Sequence, residues 1–338
     1  MNNHIDDLWD SLGEEDSSRA PLKPLWTVNF DKEDQIVEWF RNTHSHLKDI
    51  QDNLAEKWLR NLALYKGEHF EKEAPVPRNQ DRGPRQNHTK TPINHIYELT
   101  EQWVSKMVRF KPSVAIVPAN DEYNDRQAAR IADLLIKYLS YKNNIESLNE
   151  QMARQARVFG EVYMKICWDP AKGDLHPDYE KAQKEGKQIR IGKNDDGEPI
   201  LVDTAVRIGD IAFEILSPWK VYLEPVDDYR RVNYCIIEDR VDIDELEAQY
   251  HEKRIDLGTS KDGKALREQR PLDNKVPVYE IWHKGSDLLD SGRYIKIVGE
   301  TVLENLEHPY SHRELPLVRL TDIDVPGEKL EYADLELS

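Results

Sequence analysis

The sequence predicts an α+β protein in which long helices in the N-terminal half pack on antiparallel strands that follow. Two observations carry this. Apolar residues recur at helical spacing in several successive segments up to Phe159, and from Val162 onward the pattern changes to period-two alternation and short β-branched or aromatic runs. A chain that reads as helices first and strands afterwards belongs to the α+β class.

Residues 1–25 mix Asp, Glu, Ser and Pro without sustained periodicity, and read as a flexible acidic arm. From Asp31, a plausible N-cap, the segment to Tyr65 places Ile36, Phe40, Leu47, Ile50, Leu54, Trp58, Leu62 and Tyr65 at steps of three, four or seven, which is one long amphipathic helix. Pro75 to Lys90 is a loop by its Pro, Gly and Asn content. Thr91-Pro92 is an N-cap and first-turn signal, after which Ile93, Ile96, Tyr97, Thr100, Trp103, Val104 and Met107 follow helical spacing as far as Lys111-Pro112. Trp103 is assigned to the core-facing side. A short strand is expected over Ser113–Val117. A third helix, about Asp125 to Tyr141, is expected to carry Ile131, Leu134, Leu135, Tyr138 and Leu139 inward. A fourth, about Ile145 to Phe159, carries Leu148, Met152 and Ala156 and stops at Gly160.

Val162, Met164, Ile166 and Trp168 then alternate with Tyr163, Lys165 and Cys167, a strand with one buried face that turns at Asp169-Pro170. Lys172–Arg190 is too polar to bury a face, and Asn194-Asp195-Asp196-Gly197 is a hairpin-type turn between polar strands. Further strands are expected at Ile211–Leu216, Val221–Leu223, Tyr234–Ile237, Val278–Trp282, Tyr294–Val298 and Leu315–Leu320. Asp242–Tyr250 is a short helix capped by an acid, and Lys261–Lys275 a linker. The expected organisation is therefore an arm (1–25), a helical part (26–169), a polar surface insertion (170–210), a mostly β part (211–325) and a final stretch (326–338).

Composition bounds the function. The 338 residues include 64 Asp and Glu against 47 Lys and Arg, a formal net charge of −17. Such a surface disfavours tight non-specific binding to nucleic acid or anionic membranes. No apolar run reaches the roughly 18 residues of a membrane span, and the acidic start lacks the pattern of a signal peptide, so the chain is expected to begin in the cytosol. The 2 cysteines, Cys167 and Cys235, lie in strand-like apolar runs and read as core residues.

The motifs of catalysis are missing. There is no GxGxxG or GxxxxGK[ST] phosphate loop, no GxSxG elbow and no HExxH helix, and neither cysteine has a catalytic local signature. His44 and His46 stand two apart on a helix and so do not share a face for one metal ion. Asp227, Asp228, Glu238, Asp239, Asp242 and Asp244 have the composition of a two-metal nuclease site, but in so acidic a chain they read first as caps and surface groups. The reading is of a non-enzyme without cofactor or metal. The one basic stretch, with Arg78, Arg82, Arg85 and Lys90, is the candidate for phosphate or inter-subunit contacts.

One ordered series of segments points further. "NLALYKGEHF" is followed by "TPINHIYELTEQWVSKMVRFKPSVAIVPAND", then "ARQARVFGEVYMKICWDP", "EILSPWKVYLEP", "YCIIEDRVDIDELEAQY", "VPVYEIWHKG" and "HPYSHRELPLVRL". This succession resembles the wing region of portal proteins of tailed bacteriophages, the short-tailed type in particular, over roughly Asn61 to Leu320. In the resemblance Asn94 with its neighbours, Phe159-Gly160 and Pro218-Trp219 correspond to structural positions. It implies a portal-wing-like fold and a homo-oligomeric ring, typically a dodecamer, at one vertex of the viral capsid. That ring is the conduit for DNA packaging and for viral genome ejection, a head-tail connector that docks the terminase large subunit and later the tail adaptor.

Capsid and scaffold proteins would be the other partners, with double-stranded DNA passing through the channel and no membrane involved. The location would be the virion, and the host cytoplasm during assembly. Twelve chains at −17 would give the ring a charge of about −200, and a negative lumen lets a polyanion slide without adhering. Portal proteins continue into a stem, clip and crown, so the resemblance makes 326–338 the start of a stem and this chain an N-terminal portion. The alternatives are a metal-dependent nuclease using the acidic 227–244 region, or an acidic interaction module.

Overall fold

The first long helix, α1 (Glu33–Lys66), runs 34 residues, and its entry is held by Asn29, whose Oδ1 accepts the Asp31 N–H at 3.0 Å. The Gln35 side chain accepts the Asn29 N–H in return, so the turn forms around Asn29 and not the expected Asp31 cap. In the computed structural model the described residues are 24–68, 93–109, 114–118, 120–170, 172–175, 189–193, 199–202, 207–226, 228–250, 255, 257 and 274–322. Residues 1–23 of the acidic arm, the basic loop, the hairpin turn at Asn194–Gly197, nearly all of the 261–275 linker and the 326–338 stretch lie outside them; the end of the expected flexible arm is corrected, since Leu25 is buried in a 3-10 turn, Leu25–Thr27. Among the described residues no helix is long and apolar enough to cross a membrane.

Helices α2 (His95–Arg109), α3 (Tyr123–Lys142) and α4 (Ile145–Phe159) follow. Strands β1 (Glu161–Asp169), β2 (Ile189–Lys193), β3 (Pro199–Val202), β4 (Asp210–Leu216), β5 (Val221–Leu223) and β6 (Tyr234–Asp242) precede a short helix, α5 (Ile243–Gln249). Strands β7 (Lys275–His283), β8 (Arg293–Val298), β9 (Thr301–Leu306) and β10 (Leu317–Thr321) complete the described fold, which is α+β with antiparallel sheets.

The chain forms two compact units, each discontinuous in sequence: residues up to 50 with 233–314, and 51–232 with 315 onward. In the first unit β6, β7, β8 and β9 form an antiparallel meander. Its register puts Tyr234, Ile236, Tyr279, Ile281 and His283 on one face, where Trp39 of α1 meets Tyr234 at 5.7 Å and Phe40 meets Tyr279 at 4.9 Å. The opposite face carries Val276, Val278 and Val298, which pack with Ile243 and Leu246 of α5, Ile255 and Leu303. Apolar residues on both faces explain why these strands read as apolar runs and not as strict alternation.

In the second unit β1 lies between β4 and β10. Met152 and Ala156 of α4 pack on Val162 and Met164, with Phe213, Ile215 and Leu320 around them. Leu54 and Trp58 of the second half of α1 pack against Val158 and Phe159. On the other face of β1, Tyr163 donates to Glu161 at 2.9 Å and Arg319 donates to the same carboxylate at 2.9 Å. Tyr163 is thus buried as fully as Val162, and the expected one-sided burial does not hold: residues 161–165 are buried on both faces, and Trp168, on the face expected inward, is exposed. Strands β2 and β3 pair antiparallel, as the hairpin reading expects.

Three other expectations are corrected, and one strand went unexpected. The described part of Ser113–Val117 is in no strand, and Val114 and Val117 are exposed. Helix α2 begins at His95 with Asn94 as its cap, since Asn94 Oδ1 accepts the Tyr97 N–H at 3.0 Å; Thr91 and Pro92 fall outside the described residues. Trp103 is only half-buried, because Thr100 and Val104 hold the buried line of α2. Strand β9 was not expected, and its TVLENL pattern is too mixed to signal a strand without its partner β8.

Candidate interaction surface

Helix α3 inverts the usual arrangement of a surface helix. Its buried residue is Ala129, and Ala132 and Ser140 are half-buried, so small side chains face the protein. The large apolar ones face outward: Tyr141 is 88 % exposed, Tyr123 74 %, Ile131 65 %, Leu134 58 %, and Tyr138 and Leu135 are likewise more than half exposed. The sequence expectation that Ile131, Leu134, Leu135 and Tyr138 point inward is therefore corrected; Leu139 alone of that set is half-buried. The residues named were on one stripe, as expected. Ala129, on the opposite stripe, is the buried residue of α3, and helical periodicity does not tell which stripe is inward.

Ile131, Leu134, Tyr138 and Tyr141 are spaced three, four and three apart, the spacing of a seam that another helix fills. From Tyr123 to Tyr141 the stripe runs about 27 Å. The C-terminal end of α3 is anchored by Lys142, whose ammonium lies 2.6 Å from Asp210 Oδ2 at the start of β4. This pair raises the Lys142 pKa and lowers that of Asp210, each chiefly through the hydrogen bond they share. Asn143 and Asn144, the latter with φ 49°, reverse the chain into α4.

A polar network fixes α2, α4 and the end of α1 together. Arg154 grips Glu101 through Nε at 2.8 Å and a second guanidinium nitrogen at 3.1 Å, and Tyr65 donates to Glu101 at 2.7 Å. The Arg154 hydrogen bonds hold Glu101 below its ordinary pKa, and burial with the Glu101 contact pushes Tyr65 up to about 12. Asn94 ties the same region by donating from Nδ2 to the Tyr65 carbonyl at 2.7 Å.

Several of the positions singled out in the sequence make local structural contacts. Gly160 takes φ 89° at the end of α4, and Phe159 stacks edge-on with Trp219 at 4.9 Å in the Pro218–Lys220 turn. Asp228 caps the Tyr229–Arg231 turn and Asp242 caps α5. Asp244 accepts from Asn274 at 2.9 Å. Asp227 is outside the described residues, and among the described residues no group of three His, Cys, Asp or Glu is placed to hold a metal ion. His44 packs between Phe40 and Tyr279. Cys235 is fully buried in β6, while Cys167 of β1 is half-buried. Arg78, Arg82, Arg85 and Lys90 lie outside the described residues. No protein-family model and no curated protein sequence matches this chain.

Proposed function

We propose that the chain is a structural subunit of a tailed-phage portal ring, the conduit for DNA packaging and ejection and the attachment point for terminase and tail. The observation that carries this reading is the co-linear series of seven portal-like segments from Asn61 to Leu320. Two further points support it. Asn94, Phe159-Gly160 and Pro218-Trp219, the positions the resemblance marks as structural, act as a cap, a helix break and a packed corner. The outward apolar stripe of α3 is surface that a monomer rarely exposes and an assembly buries.

Net charge opposes close approach of copies, and salt screens that repulsion beyond about 8 Å at physiological ionic strength. Association through the wing is accordingly weak: monomers at micromolar concentration, closed rings as concentration and salt rise. The test is sedimentation velocity over a concentration series with electron microscopy of the heaviest species. Closed rings with one axial channel are expected. Monomers throughout, or two-fold dimers as the final species, refute the reading, as does magnesium-dependent DNA cleavage by the purified chain.

A further inference from the structure

We infer that the outward stripe of α3 is a docking seam for a second copy of this chain, and that the contact is heterologous, made with a different and acidic surface of that copy. The choice of a second copy rests on the ring reading above; the heterologous geometry rests on the charges of α3.

Size is the first argument. The six exposed side chains Tyr123, Ile131, Leu134, Leu135, Tyr138 and Tyr141 present on the order of 800 Å², the area one partner contributes to a standard stable interface. Charge is the second. Within a chain of net charge −17, α3 carries four basic residues, Arg126, Arg130, Lys137 and Lys142, against two acidic ones, Asp125 and Asp133. Taking Ile131 and Leu134 as seam positions a and d puts Arg130 and Lys137 at both flanking g positions, with Leu135 and Lys142 at e.

Pairing α3 with itself is then unfavourable in either direction. An antiparallel pair sets Arg130 of one copy against Lys137 of the other, and a parallel pair sets Arg130 against Leu135 and Lys137 against Lys142. The Lys137 ammonium is 2.7 Å from Asp133, an exposed pair of small energetic worth that leaves Arg130 as the exposed cation beside the seam. The surface that fits must bring carboxylates to this flank, which most of this acidic chain can do and α3 cannot. A contact between two different surfaces propagates and closes into a ring when the rotation allows, whereas a self-complementary contact stops at a dimer.

The experiment compares the whole chain with a double variant, Leu134→Glu/Tyr138→Glu. Both sites are exposed and Glu is a good helix former, so folding should be unchanged, checked by circular dichroism and melting. Sedimentation velocity should show the parent chain growing past the dimer with concentration and the variant weakened by about tenfold or more. The tagged variant should still retain untagged parent chain, because its other surface is intact. Arg130→Glu, which leaves the seam untouched, should weaken association in a salt-dependent way.

Association of the double variant equal to that of the parent overturns the inference, as does a parent chain that stays monomeric throughout. Failure of the variant to retain the parent overturns its heterologous part by showing that the face pairs with itself. Closed rings indifferent to the substitutions would leave the ring reading standing and remove this seam. Open chains that lengthen without closing, lost in the variant, would keep the seam and remove the ring.

Discussion

Trp58 and Trp103 both stand on apolar helical stripes, yet truncating them should cost different amounts. Trp58 is 5 % exposed among Leu54, Val158, Phe159 and Trp219, so Trp58→Ala opens a closed cavity and should destabilise by about 3–5 kcal/mol. Trp103 is half-buried, and the Arg157 guanidinium lies 5.4 Å from its ring centre. Incomplete burial of a large side chain is worth about 1–2 kcal/mol, and a partly exposed cation–π contact adds about 0.5–1. Water fills the space left at an open site, so no cavity term is added, and Trp103→Ala should cost about 2 kcal/mol. Equilibrium urea unfolding followed by far-ultraviolet circular dichroism measures both without relying on the deleted fluorophores. Equal losses for the two variants, or a larger loss at Trp103, would refute the assignment of the helix faces.

Stability should fall as pH drops below about 6.5, because burial lowers the folded-state pKa of His44, His283 and His308 and the unfolded chain then binds more protons. His283 Nδ1 bonds the Lys284 carbonyl at 2.7 Å while its buried Nε2 has no hydrogen-bond partner among the described residues; urea midpoints at pH 7.5 and 5.5 should differ less in His283→Phe than in the parent. Gly209→Ala should destabilise by about 1–2 kcal/mol from backbone strain alone at φ +83°, with a further penalty because the new Cβ falls 2.4 Å from the Trp168 ring; an unchanged thermal midpoint would contradict this. Asp242→Ala should remove the cap of α5 and cost about 1 kcal/mol, while magnesium titration of the parent should produce no DNA cleavage in a plasmid-nicking assay.

Periodicity and local turn chemistry were enough to read the α+β class, the position of α4 with its stop at Gly160, the acid cap of α5 and the strand runs from Val162 to Leu320. Each of these depends on residues a few positions apart, whose preferences act before any tertiary contact forms. The sequence also contained most of the candidate surface, since Ile131, Leu134, Leu135 and Tyr138 mark one stripe of α3, whereas Tyr123 and Tyr141 were not assigned to it. Tertiary structure decided which way that stripe faces: Ala129, on the other side, is the buried residue of α3, and a helix with two apolar stripes has no local reason to choose. It decided likewise that Trp103 sits at the edge of its helix face and that β9 forms at all. It brought β10 to β1, placing Arg319 on Glu161 across 158 residues of sequence. Pairings of that separation depend on burial and charge supplied by the rest of the chain, and no local pattern encodes them.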